Sequence, residues 1–356
     1  MRAKLIANSK LVVIKLGTGI LTDRHNRLAS ARIKQITGQV AKARKEGREV
    51  VLVSSGAVGA GMETLGYKKR PPRLEELQAC AAVGQSRLMA VYQGLFAAHD
   101  IQAAQVLLTH SDLQDHDRHL NARNTLMALL ARGVLPVINE NDAVSFTELT
   151  VGDNDKLSAL VSALLPADLL VILTTADGLV RNFGKTNAKL VSTVKKIDAD
   201  TRKLARGTES TTSVGGMYSK LKAAEIVVRA GIPMLIGNGM RRGVLGKILS
   251  AEAVGTIFLP AASKLKGRKR WIAFFHHPKG ALVVDDGAKA ALRERGKSLL
   301  APGVVKCEGD FEAGDVVKIR DCQGTDFAQG VAKFSRQEMD GNHGKVIVHR
   351  DHLVVL

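Results

Sequence analysis

Residues 151–173 read VGDNDKLSALVSALLPADLLVIL, and two adjoining patterns in this stretch predict the fold. Asp153, Asn154 and Asp155 precede an apolar run that predicts a buried helix. Leu169-Leu-Val-Ile-Leu173 then forms the strongest strand candidate in the chain. One polar residue can cap the N–H groups that begin a helix. Three consecutive polar residues therefore indicate either a helix cap with more capping groups than it needs or a binding site, and this stretch alone is compatible with both.

The same alternation of strands and helices continues on both sides of this stretch. Strands are predicted at 11–16, 50–53, 103–108, 134–138 and 233–236, and helices at 30–47, 57–66, 74–98, 118–131 and 217–230. Alternating strands and helices are typical of a mostly parallel sheet covered by helices on both faces. The expected fold class is therefore α/β with three layers.

A second domain is expected after residue 260. The stretch 261–272 is polar and basic, which is typical of a linker. Residues 273–356 contain short β-like runs separated by Gly and Asp turns, with one helix predicted at 286–295. This spacing predicts a small, β-rich C-terminal domain, either a barrel or a sandwich.

Composition excludes several classes of protein. The three cysteines are odd in number and lack metal-like or redox-like spacing, and no apolar segment is long enough to cross a membrane. We therefore expect a cytoplasmic protein without a membrane partner. The net charge of +18 suits a phosphate-bearing ligand or a nucleic acid, but only +5 of it lies in residues 262–356, which hold 17 basic and 12 acidic residues.

Polar and glycine-rich segments follow five of the predicted strands or open the next helix. They are Lys15-Leu-Gly-Thr-Gly19, Ser54-Ser-Gly-Ala-Val-Gly-Ala-Gly61, Asn139-Glu-Asn-Asp142, Thr174-Thr-Ala-Asp-Gly178 and Val214-Gly-Gly-Met-Tyr-Ser-Lys220. Ligands of such sheets bind at the carboxyl ends of the strands, and glycine N–H groups with lysines bind phosphates. Neither G-x-x-x-x-G-K-[ST] nor G-x-G-x-x-G follows a strand, so the phosphate site is neither a P-loop nor a Rossmann site.

Several of these motifs together resemble the glutamate 5-kinase family of the amino acid kinase superfamily. The matching segments are KLGT at 15–18, SSGAV at 54–58, INENDAV at 138–144, VGDND at 151–155 and GGMYSK at 215–220. Segments 294–300 and 348–351 are similar to the PUA domain that many such kinases carry. The resemblance implies an amino acid kinase domain over 1–260 and a PUA-like domain over 273–356.

The resemblance implies transfer of the γ-phosphoryl group of ATP to the side-chain carboxylate of L-glutamate, the first step of proline biosynthesis. ATP and Mg²⁺ are the implied cofactors, and no protein metal ligand is predicted. Lys15 and Lys220 are expected to flank the transferred group, and Asp155 is expected to hold both lysines. Backbone N–H groups of Gly17 and Gly56 are expected to donate to it.

The remaining site residues follow from the same resemblance. Glutamate binding is expected of Ser55, Gly56, Asp142 and Asn154, with Asp153 and Asn139 in the same shell. Nucleotide binding is expected of Lys15, Gly17, Thr174, Thr175, Val214, Gly215, Gly216, Met217, Tyr218, Ser219 and Lys220. The family further implies a homo-oligomer and feedback inhibition by proline.

The chain departs from the family pattern in three places. Thr175 stands where an Asp is usual, with Asp177 two residues on, and Val214 stands where a Thr is usual. The PUA-like part is shortened between Met339 and Lys345, which argues against a role in RNA binding. Two alternatives remain: another superfamily kinase, acting on acetylglutamate, aspartate or a nucleoside monophosphate, and an RNA-binding PUA protein.

Overall fold

The computed structural model describes residues 1–23, 27–144, 154–165, 167–205, 216–261, 269, 272–273, 278–339 and 344–355. The chain forms two compact units, Met1–Lys264 and Leu265–Leu356.

The larger unit alternates strands with helices. Its strands are β1 (Leu11–Leu16), β2 (Glu49–Ser54), β3 (Ala103–Leu108), β4 (Leu135–Glu140), β5 (Leu169–Thr174), β6 (Val180–Arg181), β7 (Lys189–Leu190), β8 (Thr193–Val194), β9 (Met234–Asn238) and β10 (Thr256–Phe258). Its helices are α1 (Arg2–Ala7), α2 (Thr18–Leu21), α3 (Ser30–Lys45), α4 (Ala57–Thr64), α5 (Leu74–Ala97), α6 (His110–Gln114), α7 (His116–Ala131), α8 (Asn154–Leu164), α9 (Ala199–Ala205), α10 (Met217–Arg229) and α11 (Val244–Leu249).

Eight of these strands form one sheet in the order β3-β4-β2-β1-β5-β9-β10-β8. All neighbouring pairs are parallel except β9 and β10, which are antiparallel. Strand β1 lies between β2 and β5, so the loops after β1 and β5 diverge at this point. Such a reversal of strand order opens a crevice at the carboxyl edge of a sheet, where ligands bind.

Strand β1 is buried along its whole length, and the two faces of the strand contact different helices. Val12, Ile14 and Leu16 pack in one core with side chains of α3, α5 and α11. Since side chains alternate along a strand, Lys15 points to the opposite face, where α8 packs. A lysine in the middle of an otherwise apolar strand is thus directed at the start of α8.

Helices α4 and α5 cross at a distance that only glycine permits. A Cβ atom on Gly61 would lie 1.7 Å from the carbonyl oxygen of Cys80, and one on Gly84 would lie 1.8 Å from that of Ala57. These are backbone atoms, which cannot move aside as a flexible side chain can. The crossing fixes the position of α5 along α4, which follows β2. It also brings Gln85, the residue after Gly84, close to the edge of the sheet.

The smaller unit is β-rich. Five strands pair in the order β13-β11-β14-β15-β17, and β12 pairs with β16. The bounds are β11 (Gly280–Val284), α12 (Asp286–Arg293), β12 (Leu299–Leu300), β13 (Val304–Gly309), β14 (Val316–Asp321), β15 (Asp326–Val331), β16 (Val346–Val348) and β17 (Leu353–Val355), with short 3-10 helices at Ala301–Gly303 and Arg350–His352. Phe311, Phe327 and Ile347 lie in its core.

The expected α/β fold with a β-rich C-terminal part is confirmed, with differences in detail. Strand β4 does not end at Ile138 but continues to Glu140, because Asn139 and Glu140 pair with Leu107 and Leu108 of β3. One of the short β-like runs expected in residues 273–356 forms β15 (Asp326–Val331), which pairs with β14. Within the described ranges, no helix is long and apolar enough to cross a membrane.

The α4–α5 crossing predicts opposite effects for two glycines of the same helix. Gly84→Ala should lower the free energy of unfolding by about 1–3 kcal/mol, since the added methyl group overlaps backbone atoms. Gly94→Ala is the matched control: nothing lies within 4 Å of a Cβ there, so it should be neutral or stabilising by up to about 1 kcal/mol. Urea denaturation of both variants measures the difference, and equal midpoints would contradict the packing argument.

Candidate active site

Two lysines and one aspartate form a buried ionic cluster at the carboxyl edge of the sheet. Lys15 Nζ lies 2.6 Å from Asp155 Oδ1, and Lys220 Nζ lies 3.0 Å from Asp155 Oδ2. Exposure is 1% for Asp155 and 6% for each lysine. The three residues come from β1, α8 and α10, so the cluster exists only because these elements converge.

Ser219 completes the surroundings of the carboxylate. Its hydroxyl lies 2.8 Å from Asp155 Oδ2 and 2.9 Å from the carbonyl oxygen of Gly216, and it can donate to either. Ser219 and Lys220 are adjacent in the first turn of α10, so one turn of helix supplies two groups to the same carboxylate. The start of α10 is thereby tied to the start of α8.

The ammonium groups determine the ionisation of Asp155. Burial opposes ionisation of this carboxylate, but Lys15 and Lys220 outweigh that effect and hold the pKa of Asp155 well below its usual range. The carboxylate therefore stays ionised at neutral pH. With two ammonium groups and one carboxylate, the cluster carries a net charge of +1 in a buried position.

Helix starts add to the positive field around the cluster. Helices α4, α8 and α10 all begin at this edge, and the first N–H groups of a helix carry partial positive charge. Gly56 caps α4 with φ +97°, a left-handed conformation that favours glycine. The N–H of Gly17 instead donates to the carbonyl of Leu173 at 3.2 Å, so it is engaged within the sheet edge.

A neutral cluster of amides and hydroxyls adjoins the ionic one. Asn154 Nδ2 lies 2.9 Å from the carbonyl oxygen of Ser54, 3.0 Å from Ser55 Oγ and 3.0 Å from Asn139 Oδ1. Asn154 directly precedes Asp155 at the start of α8, so the two clusters meet at one peptide bond. The structure thus brings together three of the residues expected to bind glutamate. Asp142 lies half-buried in the turn after β4.

The residues expected at the nucleotide lie on the other side of the ionic cluster along the sheet edge. Thr174 ends β5 and its carbonyl accepts from the N–H of Gly239 at 2.8 Å. Thr175 is exposed, and its methyl group lies 3.0 Å from the position a Cβ on Gly19 would take. Gly216 precedes α10, Met217 is buried and Tyr218 is 53% exposed. Asp153, Val214 and Gly215 lie outside the described residues.

Asp177, the nearest acidic residue to Thr175 in the sequence, pairs with one group at the end of β9 and one just after it. It accepts from Asn238 Nδ2 at 3.0 Å and pairs with the guanidinium of Arg241 at 2.7 Å. Its carboxylate is therefore committed to neighbouring protein groups.

One residue that contacts the site was not predicted from the sequence. Gln85 of α5 is buried, and its Oε1 accepts from Asn139 Nδ2 at 2.7 Å. A signal for it exists: helical spacing places Gln85 on the same face as the apolar residues Ala81, Leu88 and Tyr92, which are all buried. A polar side chain on a buried helix face needs a hydrogen-bond partner.

The two clusters suit different parts of a reaction. A buried net positive charge near helix N-termini stabilises phosphate oxygens and the charge that develops during phosphoryl transfer. The neutral amides beside it can orient a small polar molecule. No group of three or more His, Cys, Asp or Glu side chains in the described ranges is placed to hold a metal ion.

Comparisons with known proteins show the family of the chain. Residues 10–238 match the profile of the amino acid kinase family, and residues 280–353 match that of the PUA domain. The chain is 44% identical to a glutamate 5-kinase of Erwinia tasmaniensis over 98% of this chain and 100% of that protein. It is 43% identical to a glutamate 5-kinase of Geobacter sulfurreducens over the full length of both.

A solved structure supports the fold. Carbamate kinase from Giardia lamblia bound to AMP-PNP superposes with a TM-score of 0.52, covering 72% of this chain and 100% of that one. The identity is 18%, so this likeness concerns the fold alone.

The buried cluster predicts a strong effect of Asp155→Asn on stability. The variant leaves two buried ammonium groups without their carboxylate, so the free energy of unfolding should fall by about 3–5 kcal/mol at pH 7. Asp177→Asn, which breaks a more exposed pair with Arg241, is the control and should cost about 0–1 kcal/mol.

The pH dependence of that difference follows from the lowered pKa. A carboxylate with a lowered pKa in the folded state stabilises the fold above its unfolded value of about 3.9, and this contribution is lost as pH falls towards the folded value. The advantage of wild type over Asp155→Asn should therefore shrink below about pH 4. Urea denaturation across pH 3–7 measures it, and a gap that stays constant to pH 3 would contradict the assigned ionisation.

Proposed function

We propose that this chain, which belongs to the glutamate 5-kinases of the amino acid kinase family, transfers the γ-phosphoryl group of ATP to the side-chain carboxylate of L-glutamate. The observation that carries the proposal is the buried Lys15–Asp155–Lys220 cluster with its surplus positive charge, adjoining the amides of Asn154 and Asn139. The product is glutamyl 5-phosphate, which opens proline biosynthesis.

The transfer needs positioning and charge stabilisation more than covalent help from the protein. A carboxylate oxygen of glutamate attacks the γ-phosphorus, and the bond from that phosphorus to the β–γ bridging oxygen breaks, so that ADP leaves. Both reactants are anionic, and their mutual repulsion must be offset. The ammonium groups of Lys15 and Lys220 supply this offset from opposite sides of the migrating group.

Asp155 acts by holding the lysines and not as a general base. Its two oxygens are engaged by Lys15 and Lys220, and its pKa is lowered, which makes it a poor proton acceptor. The glutamate side chain is already ionised at neutral pH, because its usual pKa is about 4.3. The reaction therefore requires no proton abstraction.

The proposed glutamate subsite comprises Ser55, Gly56, Asn139, Asp142 and Asn154, and Asp153, which precedes Asn154 in the sequence, is proposed as a further member. The Oγ atom of Ser55 accepts a hydrogen bond from Asn154, so the Ser55 hydroxyl can donate a hydrogen bond to a substrate carboxylate. The Asp142 carboxylate suits the α-ammonium group of a free amino acid. An N-acetylated substrate lacks this positive charge and could not form that ion pair.

The nucleotide subsite comprises Lys15, Gly17, Thr174, Thr175 and the start of α10 with the residues before it. Val214, Gly215, Gly216, Met217, Tyr218 and Ser219 are the proposed contacts around Lys220. In this chain Asp177 is held by Arg241 and Asn238, so the threonines at 174 and 175 are left to contact the nucleotide here.

Mg²⁺ is expected to arrive with ATP. The carboxylate at the centre of the site is engaged by two lysines, and Mg²⁺ in phosphoryl-transfer sites is bound largely by substrate phosphates and water. When bound it neutralises charge on the phosphate oxygens.

Three further properties are proposed on family membership. The protein forms a homo-oligomer, works in the cytoplasm and is inhibited by proline at the glutamate subsite. The PUA domain is regulatory or structural, since the part of the chain after residue 261 carries a net charge of only +5. RNA binding that is salt-sensitive and lost on removal of residues 262–356 would contradict that role.

A hydroxamate assay tests the reaction directly. The chain is incubated with ATP, Mg²⁺ and hydroxylamine, which traps an acyl phosphate, with glutamate, N-acetylglutamate or aspartate in parallel. We expect a signal with glutamate and a much smaller one with the other two. A signal with N-acetylglutamate or aspartate of equal size, or none with glutamate, would contradict the proposal.

Replacement of either lysine should abolish most turnover. Lys220→Ala or Lys15→Ala each removes one charge-stabilising group, and we expect a loss of about 2–4 kcal/mol of transition-state stabilisation. Lys222→Ala, two residues along α10 with an exposed side chain, is the matched control and should retain wild-type kcat. Near wild-type kcat in Lys220→Ala would refute the assigned role.

Asp142→Asn should discriminate between the two substrates. The change removes a negative charge but keeps the size of the side chain, so the KM for glutamate should rise about 10-fold or more while the KM for ATP stays close to wild type. Steady-state kinetics with each substrate varied in turn measures both. An equal rise in both KM values would place Asp142 outside the glutamate subsite.

A further inference from the structure

Three side-chain amides form a continuous chain from the middle of α5 to the start of α8. Asn139 Nδ2 donates to Gln85 Oε1 at 2.7 Å, and Asn154 Nδ2 donates to Asn139 Oδ1 at 3.0 Å. Gln85 is 8% exposed and Asn139 is 1% exposed. This chain of hydrogen-bonded amides thus links the buried face of α5 to the proposed glutamate subsite.

Two backbone groups fix the direction of every amide in this chain. The N–H of Glu140 donates to Asn139 Oδ1 at 2.9 Å, and the carbonyl of Ser54 accepts from Asn154 Nδ2 at 2.9 Å. A backbone N–H can only donate and a carbonyl can only accept, so neither asparagine can be rotated by 180°. The NH₂ group of Asn139 must therefore face Gln85, and Gln85 must accept this hydrogen bond through its Oε1 atom.

This fixed direction leaves specific atoms for a ligand. Among the described residues, Asn154 Oδ1 and Gln85 Nε2 are buried side-chain atoms without a hydrogen-bond partner. Asn154 Nδ2 already has three acceptors around it for two hydrogens. The amide of Asn154 therefore offers only an acceptor, which matches an ammonium group, beside the hydroxyl proton of Ser55, which matches a carboxylate.

A purely structural role does not account for Gln85. Leu88 and Tyr92, on the same buried face of α5, lie in an apolar core, and the Tyr92 hydroxyl is satisfied by Ser54 Oγ at 2.9 Å. Methionine or leucine would fill the same space without burying a polar group. Burying an amide whose NH₂ group has no partner costs free energy, and such an arrangement persists where the remaining hydrogen bond serves a function.

We propose that Gln85 is a positioning residue of the glutamate subsite, acting through Asn139 to hold Asn154 with its oxygen available to the substrate ammonium group. This inference rests on the proposed function. Without the oxygen of Gln85, the NH₂ group of Asn139 loses its acceptor. The Asn139 side chain is then held only through its Oδ1 atom, so its position is less constrained, and the contact from Asn139 Oδ1 that holds the Asn154 amide in place weakens.

The position of Gln85 depends on the glycine beside it. Gly84 allows α5 to approach the backbone of Ala57 in α4, at the distance where a Cβ would overlap. Helix α4 itself begins at Ala57, and its N-cap residue Gly56 directly follows Ser55. The same helix crossing therefore sets both the amide chain and the loop that carries Ser55.

The test compares Gln85→Met with Gln85→Glu. Methionine keeps the length and removes both hydrogen-bonding atoms, whereas glutamic acid keeps an oxygen acceptor towards Asn139. We expect Gln85→Met to raise the KM for glutamate about 10-fold or more, with the KM for ATP and the Tm close to wild type. Gln85→Glu should recover most of the loss, and Gln93→Met, at an exposed position on the same helix, should behave as wild type.

A double variant tests whether Gln85 acts through Asn139. Asn139→Ala should raise the KM for glutamate, and adding Gln85→Met should raise it little further, because the chain is already interrupted. Fully multiplicative effects would contradict action through Asn139.

The outcomes separate this inference from the proposed function. A wild type that forms no hydroxamate with glutamate contradicts the proposed function and the role of Gln85 within it. A wild type that forms hydroxamate, while Gln85→Met keeps its glutamate KM, contradicts the role of Gln85 alone. A parallel rise of both KM values with a fall in Tm, not reversed in Gln85→Glu, would show that Gln85 is only structural.

Discussion

The larger unit depends on one buried carboxylate that holds two ammonium groups. Lys15 and Lys220 would repel each other in a low-dielectric setting if Asp155 were not between them. Because the three side chains come from β1, α8 and α10, their pairing requires those elements to meet at one point of the sheet edge. Within this group of three side chains, the carboxylate offsets one of the two positive charges.

The order of the strands explains why the elements meet there. Strand β1 lies between β2 and β5, so the segments that follow these strands leave the sheet in different directions and open a crevice. Helices α8 and α10 begin at this crevice, and their first turns carry Asp155, Ser219 and Lys220. Fold and chemistry are therefore linked through the loops at the switch point.

The ionic and amide clusters divide the demands of the proposed reaction. Charges stabilise a migrating phosphoryl group strongly but distinguish poorly between one anion and another. Amides whose direction is set by backbone groups distinguish donors from acceptors without adding net charge. Because Asn154 and Asp155 are neighbours at the start of α8, the first turn of this helix places the amide cluster beside the ionic cluster.

Local sequence patterns predict the types of the main elements, and the resemblance of the motifs to a known family predicts the three residues of the ionic cluster together with Ser55, Asn139 and Asn154. The apolar runs at 11–16 and 169–173, the helical pattern after Asp155 and the motifs at 138–144 and 215–220 each depend on neighbours along the chain. The apolar patterns suffice to predict an α/β fold, and the resemblance of the motifs to a known family indicates a kinase.

The pairing of residues that are far apart in the sequence depends on how separate elements pack. Asn139 lies in β4 because β3 pairs with it, although local pattern ends that strand at Ile138. Gln85 and Asn139 are 54 residues apart, and Asn154 and Ser54 are 100 apart. The direction of each amide is set by backbone groups that packing brings together. Periodicity along the chain carries no information about such contacts, because they arise when separate elements meet.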